Sequence, residues 1–588
     1  MNYMYGKKLF HTQLAAFAAL CLTACDDPVD PEPVKLVSTP AELSFEAEGG
    51  TKDLTITTGI KPSVSCSDSW ISLTEGSFDA NTFKMSVTAK ENTGTSGRTS
   101  TIRVIGDKQS LMIPVSQGVP KVKLSVDKGS VSFDRFGGEV TVTVTSSEQP
   151  QATVEGDWCG IQVGSIETSR ETKVTIAAAA NRTASARSGK VTVSCGSDQV
   201  TVSLDQEAYS ITTAVTTPLA IQDVFDAMAP GWNMGNHMDA IANGIASETV
   251  WGNPKCTQAT FDGIKAAGFK AVRICVTWQG HIGDAPAYRI EEKWMSRVEE
   301  IVGYAEKAGL RAIVNTHHDE SYWLDINKAS EKTKDQIFCV WTQIAQRFKD
   351  KGEWLIFESF NEIQDGGWGW SDKFKANPKA QYDILNSWNQ VFVDAVRATG
   401  GNNATRWLGI PGYAASPGFT MAGLVLPKDH TSANRLMIAV HDYDPYNYTL
   451  ADPLVSQWGH TAAKDKRCSD RDEENVIELF DQLKKAYLDF SLPVYLGEMG
   501  CSRHQDEDFA FQKYYIEYFC KGAADRKLPM FLWDNGATGV GPEKHGYIDH
   551  GTGAFIDEKA KTLIGLIVKA VTETDPLYTL QSIYYSAP

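Results

Sequence analysis

Along the chain the hydrophobic pattern changes period once, near residue 210, and the change divides the protein in two. Before it, short runs alternate apolar and polar positions, as in Leu54-Thr55-Ile56-Thr57 and Val140-Thr141-Val142-Thr143-Val144. Successive side chains of a strand point to opposite faces, so this alternation predicts strands with one face buried. Gly- and Ser-rich breaks separate the runs, as in an antiparallel β-sandwich. After it, short apolar runs alternate with amphipathic stretches of helical period. The runs begin at Gly231, Ala271, Arg311, Trp354, Arg406, Leu436, Val494 and Met530. The helical stretches include 293–308, 333–349, 382–398, 475–488, 507–524 and 558–572. Eight buried strands with helices between them predict a closed (β/α)8 barrel, the TIM barrel, over 222–588. A doubly wound open sheet is the alternative, but polar residues at nearly every strand end favour closure.

The first half is duplicated. Phe45, Gly49-Gly50 and Trp70 recur as Phe133, Gly137-Gly138 and Trp158 at a spacing of 88, and Asn92, Arg98 and Gln117 recur as Asn181, Arg187 and Gln206 at 89. Landmarks held in register imply two copies of one module, at 36–118 and 121–207, with a Thr/Ala/Pro linker over 208–221. The two copies resemble the BACON domain, an immunoglobulin-like module of Bacteroidetes glycan-degrading lipoproteins. The expected fold class is therefore multidomain: two all-β immunoglobulin-like sandwiches followed by an α/β barrel. The family name implies carbohydrate binding. The aromatic residues here are few (Phe45, Trp70, Phe78, Phe83, Phe133, Phe136 and Trp158), and those that recur read as core, so a spacer role is expected.

A length of 588 residues exceeds what one core supports. The net charge of −17 argues against nucleic acid as a partner, because phosphates demand Lys and Arg. At the N-terminus, Lys7-Lys8 precede an apolar stretch, Leu14–Leu22, too short to span a bilayer. This is a secretory signal pattern, assigned to 1–24. Leu22-Thr23-Ala24-Cys25 resembles a bacterial lipobox, with Cys25 as the lipidated residue, and the acidic, Pro-rich residues 25–35 form an extended tether. The tether resembles the surface-export signal of Bacteroidetes lipoproteins and implies lipid anchoring at the cell outer membrane surface. The nine cysteines after Cys25 are odd in number and widely spaced, with no CxxC pair, so neither a disulfide framework nor a zinc site is expected.

The strand ends carry the chemistry. Phe357-Glu358-Ser359-Phe360-Asn361-Glu362 and Val494-Tyr495-Leu496-Gly497-Glu498 are apolar runs ending in carboxylates. In a barrel, such groups can face each other across the C-terminal mouth. Two opposed carboxylates are what glycoside hydrolysis requires. Asn236, Arg273, His317, His318, Asn361, His441, Tyr443 and Trp533 lie at other strand tips. Gly231–Asn236, Glu248–Pro254 and Val272–Trp278, with Asn361-Glu362 and Gly497-Glu498, resemble glycoside hydrolase family 5, in particular its subfamily 4 endo-β-glucanases. The resemblance implies Glu362 as acid/base and Glu498 as nucleophile. It further implies Arg273 and Tyr443 beside the nucleophile, His441 beside the acid/base, His317 and Asn361 on the reacting sugar, and Trp533 beneath it.

The physics of each role is independent of the resemblance. Arg273 would favour the ionised form of Glu498, whereas a buried, less cationic setting would keep Glu362 protonated. Adjacent strand residues face opposite ways, so His317 and His318 are not expected to share an ion, and no metal or cofactor is implied. Met234 and His237 depart from the family pattern Asn-Leu-Gly-Asn-Thr, which makes His237 a candidate contact for a distal sugar. Trp251, Trp278, Trp323, Trp368, Trp370 and Trp458 lie in strand-end loops and are further candidate stacking platforms.

The resulting expectation is a monomeric, retaining, endo-acting β-1,4-glucan hydrolase of the xyloglucanase or cellulase type. Mixed-linkage glucan and mannan are alternative backbones, and a non-catalytic surface glycan-binding protein is the reading from another class.

Overall fold

The structure is a computed structural model that describes residues 32–588, so the predicted signal peptide, Cys25 and the tether up to residue 31 lie outside the described residues. Among those described, no helix is long and apolar enough to cross a membrane. The chain divides into two compact units. One ends at Lys123 and includes 146–149 and 166–170; the other comprises Leu124–Thr145, Pro150–Ser165 and Glu171–Pro588.

The two sandwiches repeat one topology. In the first copy, Val37–Thr39, Gly50–Thr57, Thr82–Ala89 and Ile71–Asp79 form one sheet in that order. In the second, Ser125–Val126, Gly138–Thr145, Glu171–Ala178 and Cys159–Val163 do the same. The repeated landmarks form one repeated network. Arg98 Nε donates to Gln117 Oε1 at 2.9 Å, and Arg187 Nε to Gln206 Oε1 at 2.8 Å. Each guanidinium lies over its tryptophan, Trp70 at 4.5 Å and Trp158 at 4.8 Å. Asn92 and Asn181 each donate to two main-chain carbonyls, closing the adjoining loop. Gly49 and Gly137 both take φ +76°, and a Cβ there would strike the carbonyl of Ala89 or Ala178. Trp158 is buried as core, whereas Trp70 stays half-buried under its arginine.

In the barrel the strands are β1 (Gly231–Met234), β2 (Ala271–Ile274), β3 (Arg311–Val314), β4 (Leu355–Glu358), β5 (Leu408–Pro411), β6 (Leu436–Asp442), β7 (Val494–Met499) and β8 (Met530–Asp534). They close in sequence order, with β1 paired in parallel to β2 and β8. Side chains alternate inward and outward along each strand. Ala271, Ile313, Ile356, Met437 and Phe531 fill one interior level, closed from below by Leu219 and the helix Ile221–Met228 through Val224 and Met228. Two residues further along, the interior turns polar with Asn233, Arg273, Asn315 and Glu358, all fully buried. The register shifts at Val440/His441 and between Leu496 and Met499. Such bulges re-aim side chains beside active sites, and here they fall at His441 and Glu498.

The second sandwich is packed onto the barrel's outer helices rather than hung from them. Arg182 Nε contacts Asp335 at 2.9 Å on the helix Glu331–Arg347, and at the start of the linker the Tyr209 hydroxyl donates to the Asp394 carbonyl at 3.2 Å on Pro378–Ala398. Phe136 and Tyr209 join the barrel's outer hydrophobic cluster. The predicted linker is likewise strapped down: Ala214 N donates to His430 O at 2.9 Å, and Ser432 N to Ala214 O at 2.8 Å.

Candidate active site

Glu362 and Glu498 meet at the C-terminal mouth. Each offers an oxygen, with a His441 ring nitrogen between them, all within 4.8 Å of one another. That separation suits a retaining mechanism, for which ~5–5.5 Å is typical, rather than an inverting one with room for a water between. The surroundings of the two carboxylates differ. Glu498 receives Arg273 Nη1 at 2.8 Å on Oε1 and the Tyr443 hydroxyl at 3.0 Å on Oε2. Glu362 contacts His441 Nδ1 at 2.8 Å through Oε1.

Burial pushes Glu362 up to about 7, helped by the neighbouring Glu320 carboxylate. It pushes the His441 imidazole down to about 4, so at neutral pH a neutral ring faces a carboxyl group whose burial favours its protonated form. Arg273 lies beside Glu498 as expected, but Glu498 is not its main partner. Its guanidinium is divided, with Nη2 at 2.7 Å and Nε at 3.0 Å from Glu358 Oε1, and only Nη1 reaching Glu498. Burial alone would push Glu358 up, but Arg273 wins and holds it below the ordinary carboxylate value. Burial pushes Glu498 up, with His441 and Arg273 pulling against it.

A polar layer beneath holds this geometry. Tyr495 donates to Glu358 Oε2 at 2.6 Å and Asn315 Nδ2 to Oε1 at 3.0 Å, while Asn233 Oδ1 accepts from Arg273 Nη1 at 3.1 Å. Arg273 Nη2 also donates to Asn361 Oδ1 at 2.7 Å. This fixes the Asn361 amide so that its Nδ2 donors remain for a sugar hydroxyl. Glu358, Asn233, Asn315 and Tyr495 were not among the expected site residues. Their signal is the period of two: Asn233, Glu358 and Tyr495 sit on the inward parity of their strands, and Asn315 continues that of β3 one residue past its end.

Trp533, on β8, is 8% exposed and lies parallel to the His317 ring with centroids 5.9 Å apart. Gly235 makes room for it; a Cβ there would come within 2.7 Å of the indole. Asn236, at φ +53°, donates its N–H to Asp239 Oδ2 at 2.9 Å on the same rim. His317 and His318 do not diverge. They follow the end of β3, where strand alternation no longer applies, and their Nε2 atoms lie 4.0 and 3.9 Å from Asp239 Oδ2. Both Asp239 oxygens already accept backbone N–H groups, from Asn236 and His237.

Three expected sugar contacts are instead core. Trp278 is fully buried with Nε1 on the Asn315 carbonyl, and Trp458 is fully buried among Tyr514, Tyr515 and Tyr518. His237 is fully buried, with Nε2 2.9 Å from the Pro254 carbonyl and 3.6 Å from Glu248. Their loops fold back over the barrel and bury these rings. Trp323 is half-buried and donates to Asp319 Oδ1 at 2.8 Å. Trp251, Trp368 and Trp370 are 43%, 51% and 75% exposed.

A TIM barrel whose mouth holds two opposed, differently supported carboxylates over a buried tryptophan defines a glycoside hydrolase of the retaining type. The cellulase profile of glycosyl hydrolase family 5 matches residues 235–539, and the chain belongs to that family. The viral BACON profile matches 35–120 and the BACON profile matches 124–207. Among relatives, endoglucanase A of Paenibacillus barcinonensis is 36% identical over 343 residues, 54% of this chain and 82% of that one. A xyloglucan-specific endo-β-1,4-glucanase of Bacteroides ovatus is 32% identical over 439 residues, 70% of this chain and 85% of that one. Among solved structures, a broad-specificity family 5 subfamily 4 endoglucanase from Bacteroides salanitronis shares 46% identity at TM-score 0.58, covering 63% of this chain and 99% of that one. A Bacteroides ovatus family 5 xyloglucanase bound to a XXXG heptasaccharide shares 29% identity at TM-score 0.54, covering 76% and 100%.

Proposed function

We propose that the protein is an endo-acting β-1,4-glucan hydrolase, with xyloglucan as the favoured substrate. The observation that carries the reaction is the opposed pair Glu362 and Glu498, each with its own partners. Glu498, ionised and aimed by Arg273 and Tyr443, attacks the anomeric carbon. Glu362 gives its proton to the departing glycosidic oxygen, leaving a glucosyl ester on Glu498. Glu362, now a carboxylate, takes a proton from water, whose oxygen displaces Glu498 and releases the sugar with its configuration retained. Asn361, turned by Arg273, would bond the 2-hydroxyl as the transition state develops, and Trp533 packs under the ring. The xyloglucan reading is supported by the match to the Bacteroides ovatus xyloglucanase, which extends beyond the barrel's length.

A reducing-end release assay on xyloglucan, mixed-linkage glucan, soluble cellulose and mannan, comparing wild type with Glu362→Ala, tests this. Cleavage of xyloglucan, reduced by ~10²–10⁴ in the variant, is expected. Cleavage of mannan alone would replace the substrate, and unchanged activity in the variant would remove Glu362 from its role. The sequence around Cys25 and the acidic tether support a lipid-anchored protein at the outer-membrane surface. Loss of radiolabelled palmitate incorporation in Cys25→Ala would be the corresponding sign.

A further inference from the structure

The exposed tryptophans of the barrel's loops fall into two groups. Trp251 follows β1, and its ring lies 5.6 Å from that of His318, whose neighbour His317 stacks on Trp533. It thus extends the half of the mouth that holds the reacting sugar. Trp368 and Trp370 stand elsewhere, on the loop after β4 that begins at the residue following Glu362.

That loop is pinned along its length. Asp365 Oδ1 accepts Gly367 N at 3.0 Å and the Tyr413 hydroxyl at 2.9 Å, and its Oδ2 accepts the Ser371 hydroxyl. Gln364 Oε1 accepts Trp368 N at 3.2 Å, and Trp370 N donates to Gly367 O at 2.7 Å. From the loop after β3, Asn327 Nδ2 donates to the Asp365 carbonyl at 3.1 Å. Trp368 is held at φ +51°, a region that suits glycine and strains a bulky residue. Yet both indoles remain exposed, that of Trp370 by 75%. Packing does not explain two large apolar rings kept in water by an ordered, strained backbone. A pre-formed platform for a ligand does.

We propose that Trp368 and Trp370 form the platform for the departing half of the glucan chain, the sugars on the reducing-end side of the cleaved bond. This rests on the reading of the protein as an endo-acting β-glucan hydrolase with Glu362 as acid/base.

Glu362 hands its proton to the oxygen that leaves with the departing half, so the chain running on from Glu362 starts on that side of the bond. Asp365 lies three residues further on, and through Ser371 it draws the far end of the loop back towards itself. Extended chain spans at most ~3.3–3.6 Å per residue, which keeps both indoles within a few sugar lengths of the scissile bond. Each indole offers a flat apolar face on which the C–H face of a glucose ring can pack.

The test compares kcat/KM on a soluble β-glucan, which fills both halves of the cleft, with kcat/KM on a nitrophenyl β-cellotrioside, whose leaving group is not a sugar. In the double variant Trp368→Ala/Trp370→Ala the ratio of the first to the second should fall about tenfold or more. Trp368→Tyr/Trp370→Tyr should recover most of that loss. On cellohexaose labelled at its reducing end, the favoured cut should move towards that end in the Ala variant, leaving fewer sugars beyond the cleaved bond. An unchanged ratio overturns the proposal. So does an equal loss on both substrates, which is what a merely structural loop gives. A cut that moves the opposite way would put the platform under the retained half and overturn it too. The underlying reading fails separately: wild type inactive on every β-glucan, or Glu362→Ala with wild-type activity, removes that reading and the proposal with it.

Discussion

Arg187, Gln206 and Asn181 of the second sandwich and Arg273, Asn361 and Glu358 of the barrel mouth are similar residue types, each set built around an arginine, half-buried in the sandwich and fully buried in the barrel. In the sandwich they close on one another and on main-chain carbonyls, and the same contacts recur in the first copy. In the barrel the deep layer closes in the same way around Arg273 and Glu358. Immediately above it the closure stops: the Asn361 amide is aimed from one side only, and Glu320 Oε2 has no partner. A buried polar cluster that satisfies itself is architecture, because any opened bond costs free energy without return. One that leaves donors and acceptors uncommitted at the end of a rigid layer is ready for a ligand to complete it.

The largest test of that contrast is Glu498→Gln. It keeps the shape and removes the nucleophile, so kcat should fall by at least ~10³ with the thermal midpoint nearly unchanged. A collapse of the fold instead would mean that Glu498 belongs to the closed layer. Next comes the wild-type pH profile. Glu362 must hold its proton to act as acid, and it loses it near pH 7, so kcat/KM on β-glucan should decline above that value by ~tenfold per pH unit. A profile flat to strongly alkaline pH would sever the link between this carboxyl group and the reaction. The smallest effect is expected in the sandwich. Asn181→Ala should cost ~1–3 kcal/mol in chemical denaturation, matched by Asn92→Ala in the first copy, with kcat and KM unchanged. A change in kcat would show that the docked sandwich reaches the active site.

Much of the site was legible because strand ends are conspicuous. A run such as Val494-Tyr495-Leu496 that stops at Glu498 announces both strand and carboxylate, and the tips from Asn236 to Trp533 converge once a barrel is assumed. Glu358 was harder to read, although it lies in the same motif as Glu362. Only inward parity and the presence of Arg273 across the barrel mark it as the arginine's main partner. Trp278, Trp458 and His237 were misplaced for the opposite reason. A loop next to a strand end looks exposed in sequence, whereas here the loops fold back and bury the rings.

Periodicity and spacing alone determined the two repeated sandwiches, the eight-stranded barrel and the pair of opposed glutamates, since each is written in local pattern: a period of two, a helical period, and where an apolar run stops. Tertiary structure alone decided which carboxylate claims most of Arg273, which tryptophans reach solvent, and that the second sandwich and its linker are bound to the barrel. These are pairings between residues far apart in the chain. They depend on how the barrel closes and how its loops pack, and no local period encodes the distance between two strands.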